Sequence, residues 1–127
     1  MIVKDDFLSR LRRYFGLNLY EVKIWAALLS RGVSTAGELS DIANVPRSRS
    51  YDILESLEKK GFIVMKIGKP IKYIAVPPEE VVERVKKNVR NHANEQVERL
   101  EKLKKTDVLI ELNNLHTQGI ELVEPTD

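Results

Sequence analysis

At 127 residues, 43% of them hydrophobic and none of them cysteine, the chain can bury one modest core and excludes a disulfide framework or a thiolate metal site. Its net charge is only +2, a low value for a protein that coats nucleic acid indiscriminately. No apolar run approaches the ~18–20 residues that a membrane span needs, and the start Met-Ile-Val-Lys-Asp-Asp-Phe lacks a signal pattern, so a soluble, cytoplasmic protein without a membrane partner is expected.

Asp5 and Asp6 open a first helix that runs through Phe15 and stops at Gly16. Phe7, Leu8, Leu11, Tyr14 and Phe15 form its apolar stripe, and Arg10, Arg12 and Arg13 form an outer face, solvated or alternatively in contact with DNA. Asn18-Leu-Tyr-Glu21 has cap residues at the spacing that begins a second helix, which ends at Arg31 and Gly32. Its expected buried set is Val22, Trp25, Ala26, Leu28 and Leu29. In Thr35-Ala-Gly-Glu38, a hydroxyl and a carboxylate three residues apart start a third helix, with Leu39, Ile42 and Ala43 on one face. After the break at Asn44-Val45-Pro46, Pro46 suits the first position of a fourth helix. That helix ends at Lys59-Lys60-Gly61, cations followed by a glycine stop. Two strands joined by Gly68-Lys69-Pro70 complete a helix-turn-helix with a two-stranded wing.

The fourth helix divides on a wheel of about 100° per residue. Ser50, Leu54 and Leu57 cluster, with Ile53 and Tyr51 at the edges of that face. Ser48, Arg49, Asp52, Ser56 and Lys59 fall opposite; Arg47 lies toward the core side, but from the first turn its long side chain can still swing out to a phosphate. Arginine can bridge the O6 and N7 acceptors of guanine, and Asp52 can accept from cytosine or orient Arg49. Lys66, Lys69 and Lys72 lie on or beside the wing tip. From Asn44 to Val76 there are seven Lys or Arg against three Asp or Glu, so basic charge is concentrated where a groove-reading element needs it. Lysines also guard exposed strand edges, and that role is compatible with phosphate contact.

The run Val45-Pro-Arg-Ser-Arg-Ser-Tyr-Asp-Ile-Leu-Glu-Ser-Leu-Glu-Lys-Lys-Gly-Phe-Ile, then Gly68-Lys-Pro-Ile-Lys-Tyr and Val76-Pro-Pro-Glu-Glu, resembles the TrmB family. Phe15-Gly-Leu-Asn-Leu-Tyr-Glu-Val-Lys-Ile-Trp-Ala-Ala-Leu-Leu resembles that family's first core helix. These are archaeal and bacterial transcriptional regulators with an N-terminal winged helix, and the similarity covers roughly residues 10–85. The best-known members continue into a large sugar-sensing domain, for which 127 residues leave no room. Sugar sensing is therefore not expected here.

Beyond Val76-Pro77-Pro78, Glu79 and Glu80 start a long helix whose apolar positions are Val82, Val85, Val89, Ala93, Val97, Leu100 and Leu103. The steps of 3, 4, 4, 4, 3 and 3 give a continuous stripe but not a strict heptad. A helix of about 30 residues with a narrow stripe needs a partner, and an identical helix is the simplest one. Eight basic residues against eleven acidic ones from Pro77 onward favour a dimerisation stalk over DNA contact. Asn88, Asn91 and Asn94 lie nearby, on the helix surface or at the seam. Residues 113–127 read as a frayed tail, unless Ile120, Leu122 and Val123 add a strand or hook.

The expected fold is mainly α with a small β-hairpin. Residues 1–78 form a winged helix-turn-helix, 79–112 a coiled-coil-like helix and 113–127 a tail. The expected function is that of a homodimeric regulator reading double-stranded DNA, alternatively a module that docks on the transcription machinery or an architectural DNA-binding protein. No paired-carboxylate pocket, Ser–His arrangement or phosphate loop points to an enzyme. Neither cofactor nor metal is expected, because His92 and His116 stand apart with no ligand cluster.

Overall fold

A computed structural model describes residues 4–119. The elements are α1 (Asp5–Phe15), α2 (Leu19–Arg31), β1 (Val33–Ser34), α3 (Ala36–Ala43), α4 (Arg47–Lys59), β2 (Ile63–Lys66), β3 (Lys72–Ala75), α5 (Pro78–Leu103) and α6 (Asp107–Gln118). Two compact units emerge, one through Lys87 and one from Asn88. The suggested strand or hook at Ile120, Leu122 and Val123 lies outside the described residues.

The first unit is a winged helix-turn-helix, and its helix starts follow from local chemistry. Asn18 Oδ1 accepts from the Glu21 N–H at 2.8 Å, and Glu21 Oε1 accepts from the Asn18 N–H at 2.9 Å. Thr35 and Glu38 repeat this reciprocal cap at the head of α3. Glycine ends α1 and follows the end of α4: Gly16 and Gly61 take φ of 65° and 83°, where a side chain would be strained. Pro46 stands one residue earlier than expected, as the N-cap of α4 rather than its first residue.

The core gathers Val22, Ile24, Trp25, Leu28, Leu39, Leu54, Leu57, Phe62, Ile63 and Val81, all nearly or wholly buried. At its centre Trp25 meets Phe15 and Phe62 edge-on, with ring centroids 4.9 and 5.1 Å apart, a geometry that aligns ring edges with faces. Several expected stripe positions face water instead: Phe7, Tyr14, Leu29 and Ile42 are exposed. Helix α2 packs against α1, α3, α4 and the sheet and buries Ile24 and Ala27 around more of its circumference than one face. Leu29 is left outside.

The sheet has three strands rather than two, in the order β1-β3-β2 and antiparallel throughout. Val33 and Ser34 pair with Ile74 and Tyr73, while β2 runs from Ile63 opposite Ala75 to Lys66 opposite Lys72. Helix α5 then begins with Glu79 and Glu80 in its first turn. Its Val81, absent from the expected stripe, is fully buried, and Val85 packs partly against the same core. Arg84 Nη1 donates to the Gly61 carbonyl at 2.7 Å, which ties α5 to the end of α4.

In the second unit, Val89, Val97 and Leu100 are exposed, as is Ala93, whereas Leu103 is half-buried. The helix stops at Leu103 instead of running to residue 112. Thr106 takes an extended conformation and donates its hydroxyl to the Leu103 carbonyl at 2.7 Å, and α6 starts with Asp107 in its first turn. Residues 113–118, read as part of a tail, belong to this helix.

Candidate nucleic-acid interface

The surface worth testing for nucleic acid is built on α4 and the β2–β3 hairpin. Ser50, Ile53, Leu54 and Leu57 are buried, which fixes the roll of α4 on the core. Ser50 closes its own hydrogen bond inside the helix, with Oγ donating to the Arg47 carbonyl at 2.7 Å. Ser48, Arg49, Asp52 and Lys59 are exposed, as expected, and Arg47, which the wheel places toward the core side, is exposed as well. Tyr51, placed by the wheel at the edge of the core face, is 56% exposed and joins them. The first turn holds no acid and no side-chain cap, so cations and helix dipole reinforce each other there. Toward the other end the charge reverses, because Glu55 and Glu58 are also exposed and Lys59 is paired with Glu55 at 3.0 Å. The anion-attracting half of α4 is therefore its N-terminal half.

Two arginines there differ in setting. Arg47 folds its guanidinium over Gly37 of α3, where an added Cβ would lie 2.5 Å from Nη2. Glycine leaves the space for that approach. Arg49 sits over the Tyr20 ring, 5.4 Å from its centroid. Among the described residues the Arg49 guanidinium has no hydrogen-bond or ion-pair partner, so its donors remain available. Tyr20 is a contact that no local sequence signal indicated.

Ser56 departs from the expectation. It is half-buried, and its hydroxyl donates to Glu21 Oε2 at 2.8 Å; Lys60 Nζ binds the same oxygen at 2.8 Å. Glu21 is itself only 3% exposed. Burial raises the pKa of this carboxyl, but the Asn18 N–H, Lys60 and Ser56 outweigh it and hold the pKa below the ordinary carboxylate range. Because the folded-state pKa is depressed, the stability it contributes is present above about pH 4.3 and is lost as pH falls further. Glu21→Gln should therefore flatten the acid limb of a urea-midpoint profile below about pH 4.3. An unchanged acid limb would mean that other carboxylates govern it.

On the wing, Lys66, Lys69 and Lys72 are all exposed, with Lys66 and Lys72 paired across the hairpin. None of the three has a salt-bridge partner among the described residues. The arginines of α1 are exposed as well.

The family described as "Sugar-specific transcriptional regulator TrmB" matches residues 11–79, which span every element of this surface. The chain belongs to the TrmB family. It is 41% identical over 111 residues to the DNA-binding HTH-type transcriptional repressor TrmBL2 of Thermococcus kodakarensis, covering 87% of this chain and 41% of that one. It is 40% identical over 109 residues to a putative HTH-type transcriptional regulator TrmBL2 of Pyrococcus furiosus, covering 86% and 40%. It thus spans about two fifths of the length of these relatives. A solved structure of TrmBL2, described as an archaeal chromatin protein with a novel mode of DNA binding, superposes with a TM-score of 0.75 at 35% identity, over 98% of this chain and 49% of that one. The transcriptional regulator Tm0710 from Thermotoga maritima matches at 22% identity with a TM-score of 0.51, over 91% and 87%, and shares the fold. Among the described residues of this TrmB-family chain, no helix is long and apolar enough to cross a membrane.

Proposed function

We propose that the chain is the DNA-binding part of a transcriptional regulator that acts as a homodimer and reads double-stranded DNA by sequence. One observation carries this reading: the N-terminal half of α4 exposes Arg47, Ser48 and Arg49, and three lysines without salt-bridge partners among the described residues stand on the adjoining wing. Helix α4 enters the major groove, Arg49 and Asp52 meet base edges, and Arg47, Lys59 and the wing lysines meet phosphates. Ser56 is dropped from the reading set because Glu21 holds its hydroxyl. Residues 79–105 supply the dimer contact through Val82, Val85, Val89, Ala93, Val97, Leu100 and Leu103.

Arg49→Lys tests the base-reading role. Lysine keeps the charge but loses the planar fork that makes two parallel bonds to guanine. Discrimination for the preferred site should fall by about 1–3 kcal/mol while binding to scrambled DNA is retained. In a competition assay, undiminished preference would remove Arg49 from base readout. Wing and helix are separable in the same assay. Replacing both Lys69 and Lys72 by alanine should weaken binding to all sequences alike and lower the salt slope by roughly one unit per lost phosphate contact. A wild-type slope would detach the wing from DNA.

A second reading is favoured by the relative described as a chromatin protein: an architectural protein that binds backbone with little regard for sequence. It predicts that Arg49→Lys and wild type bind every fragment alike.

A further inference from the structure

We infer that the partner of α5 is a second copy of the same helix running antiparallel, with the crossing point between Ala93 and Asn94. This rests on the dimer reading above and adds its direction and register. With Ala93 as zero at about 100° per residue, Val82, Val89, Val97 and Leu100 all fall within about 40° of it and form the seam. The two flanks of that seam are unlike. On one lie Glu79, Glu83, Lys86, Arg90, Asn94, Glu101 and Lys104, at about +20° to +100°; on the other lie Val85, Gln96, Leu103 and His92, with no permanent charge.

Four charges of this flank, with Lys104 one residue beyond the end of α5, are antisymmetric along the chain, while Glu79 and Arg90 have no charged counterpart. Glu83 and Lys104 are equally distant from the point between residues 93 and 94, and so are Lys86 and Glu101, with opposite signs in each case. Within one chain these four form two exposed pairs, Lys86–Glu83 at 3.3 Å and Lys104–Glu101 at 3.8 Å.

Two identical helices related by a two-fold axis along their length bring one flank against the other. The charged flank would then meet the uncharged one and gain no ion pair. A two-fold axis perpendicular to the helices brings each flank against itself, end for end. Glu83 and Lys86 of one copy then meet Lys104 and Glu101 of the other, twice per dimer. Flank charges of this kind set helix orientation more than they set strength.

Because the chain has no cysteine, single cysteines report their own position only. The test is disulfide formation in full-length Val89→Cys, Val97→Cys and Ala93→Cys proteins, each alone and with the first two unfolded together and refolded as a mixture. In the antiparallel pair, the two copies of position 89 are about 13 Å apart along the axis, too far for a disulfide, as are those of position 97. Neither variant should cross-link alone, the mixture should give the 89–97 heterodimer, and Ala93→Cys should cross-link to itself. Efficient cross-linking of Val89→Cys alone and Val97→Cys alone would overturn the antiparallel direction while keeping the dimer. A protein that sediments as a monomer would overturn the dimer reading and this inference with it. A dimer in which no variant cross-links would move the seam elsewhere and overturn the inference too. Charge exchange gives a second readout: Lys86→Glu should raise the dimer dissociation constant roughly three- to tenfold, and adding Glu101→Lys in the same chain should restore it. Lack of rescue would overturn the register.

Discussion

A chain cut after Lys87 should fold as a monomer and bind DNA about 10²- to 10⁴-fold more weakly than the whole chain. All of the core lies before that point, with Val81 and Val85 as its last members. A cut after Pro78 would be a poorer experiment, because it removes fully buried Val81 and the Arg84 that holds the Gly61 carbonyl. The loss of affinity comes from geometry, not from lost contacts. Two linked binding units make the second engagement intramolecular, and their avidity exceeds that of either alone by about that factor. Sedimentation and a binding titration check both halves. A residue 1–87 fragment that still dimerises would move the interface onto the winged helix. One that stays monomeric yet binds as tightly as the whole chain would show that a single unit suffices.

Phe62→Ala should destabilise the first unit by about 3–5 kcal/mol, the range for removing a large aromatic from a packed core. Phe62 is 1% exposed, and its ring meets Trp25 of α2 at 5.1 Å and Phe15 of α1 at 5.9 Å, so its loss opens space that both helices border. A domain of this size has only about 5–15 kcal/mol of stability in all, and the melting temperature should fall by roughly 10–30 °C. Tyr14→Ala is the control. Its side chain is 77% exposed, and the change should stay within about 0.5 kcal/mol. Thermal unfolding followed by circular dichroism separates the two. A Phe62→Ala protein that melts within a few degrees of wild type would mean that the aromatic cluster is not the centre of the core.

What could be read in advance was local. Thr35 with Glu38, Asn18 with Glu21, and Gly61 after Lys60 each signal a helix end within four residues, and each forms as expected. The alternation of core and surface along α4 was legible for the same reason, since Leu54 and Leu57 dominate its roll. Contacts between distant parts were not. Ser56 looked like an outward hydroxyl until Glu21, 35 residues earlier, was brought against it. Nothing within β1 marks Val33 and Ser34 as a strand; only β3, some 40 residues later, makes them one. Tyr20 reaches Arg49 only through the packing of α2 on α4. The end of α5 is marked locally by Thr106 followed by Asp107, a helix-start signature set inside a continuous apolar pattern. Family membership was legible because its motifs fall in the stretches where local signals are densest.

Sequence readout by this surface is tested most directly by selecting the DNA fragments that the protein retains at about 150 mM salt. The affinity for the best fragment is then compared with that for the same fragment scrambled. Sequence readout through α4 predicts a ratio of at least roughly 10³, falling by about 1–3 kcal/mol in Arg49→Lys. A ratio near one, with affinity governed by salt alone, would contradict it.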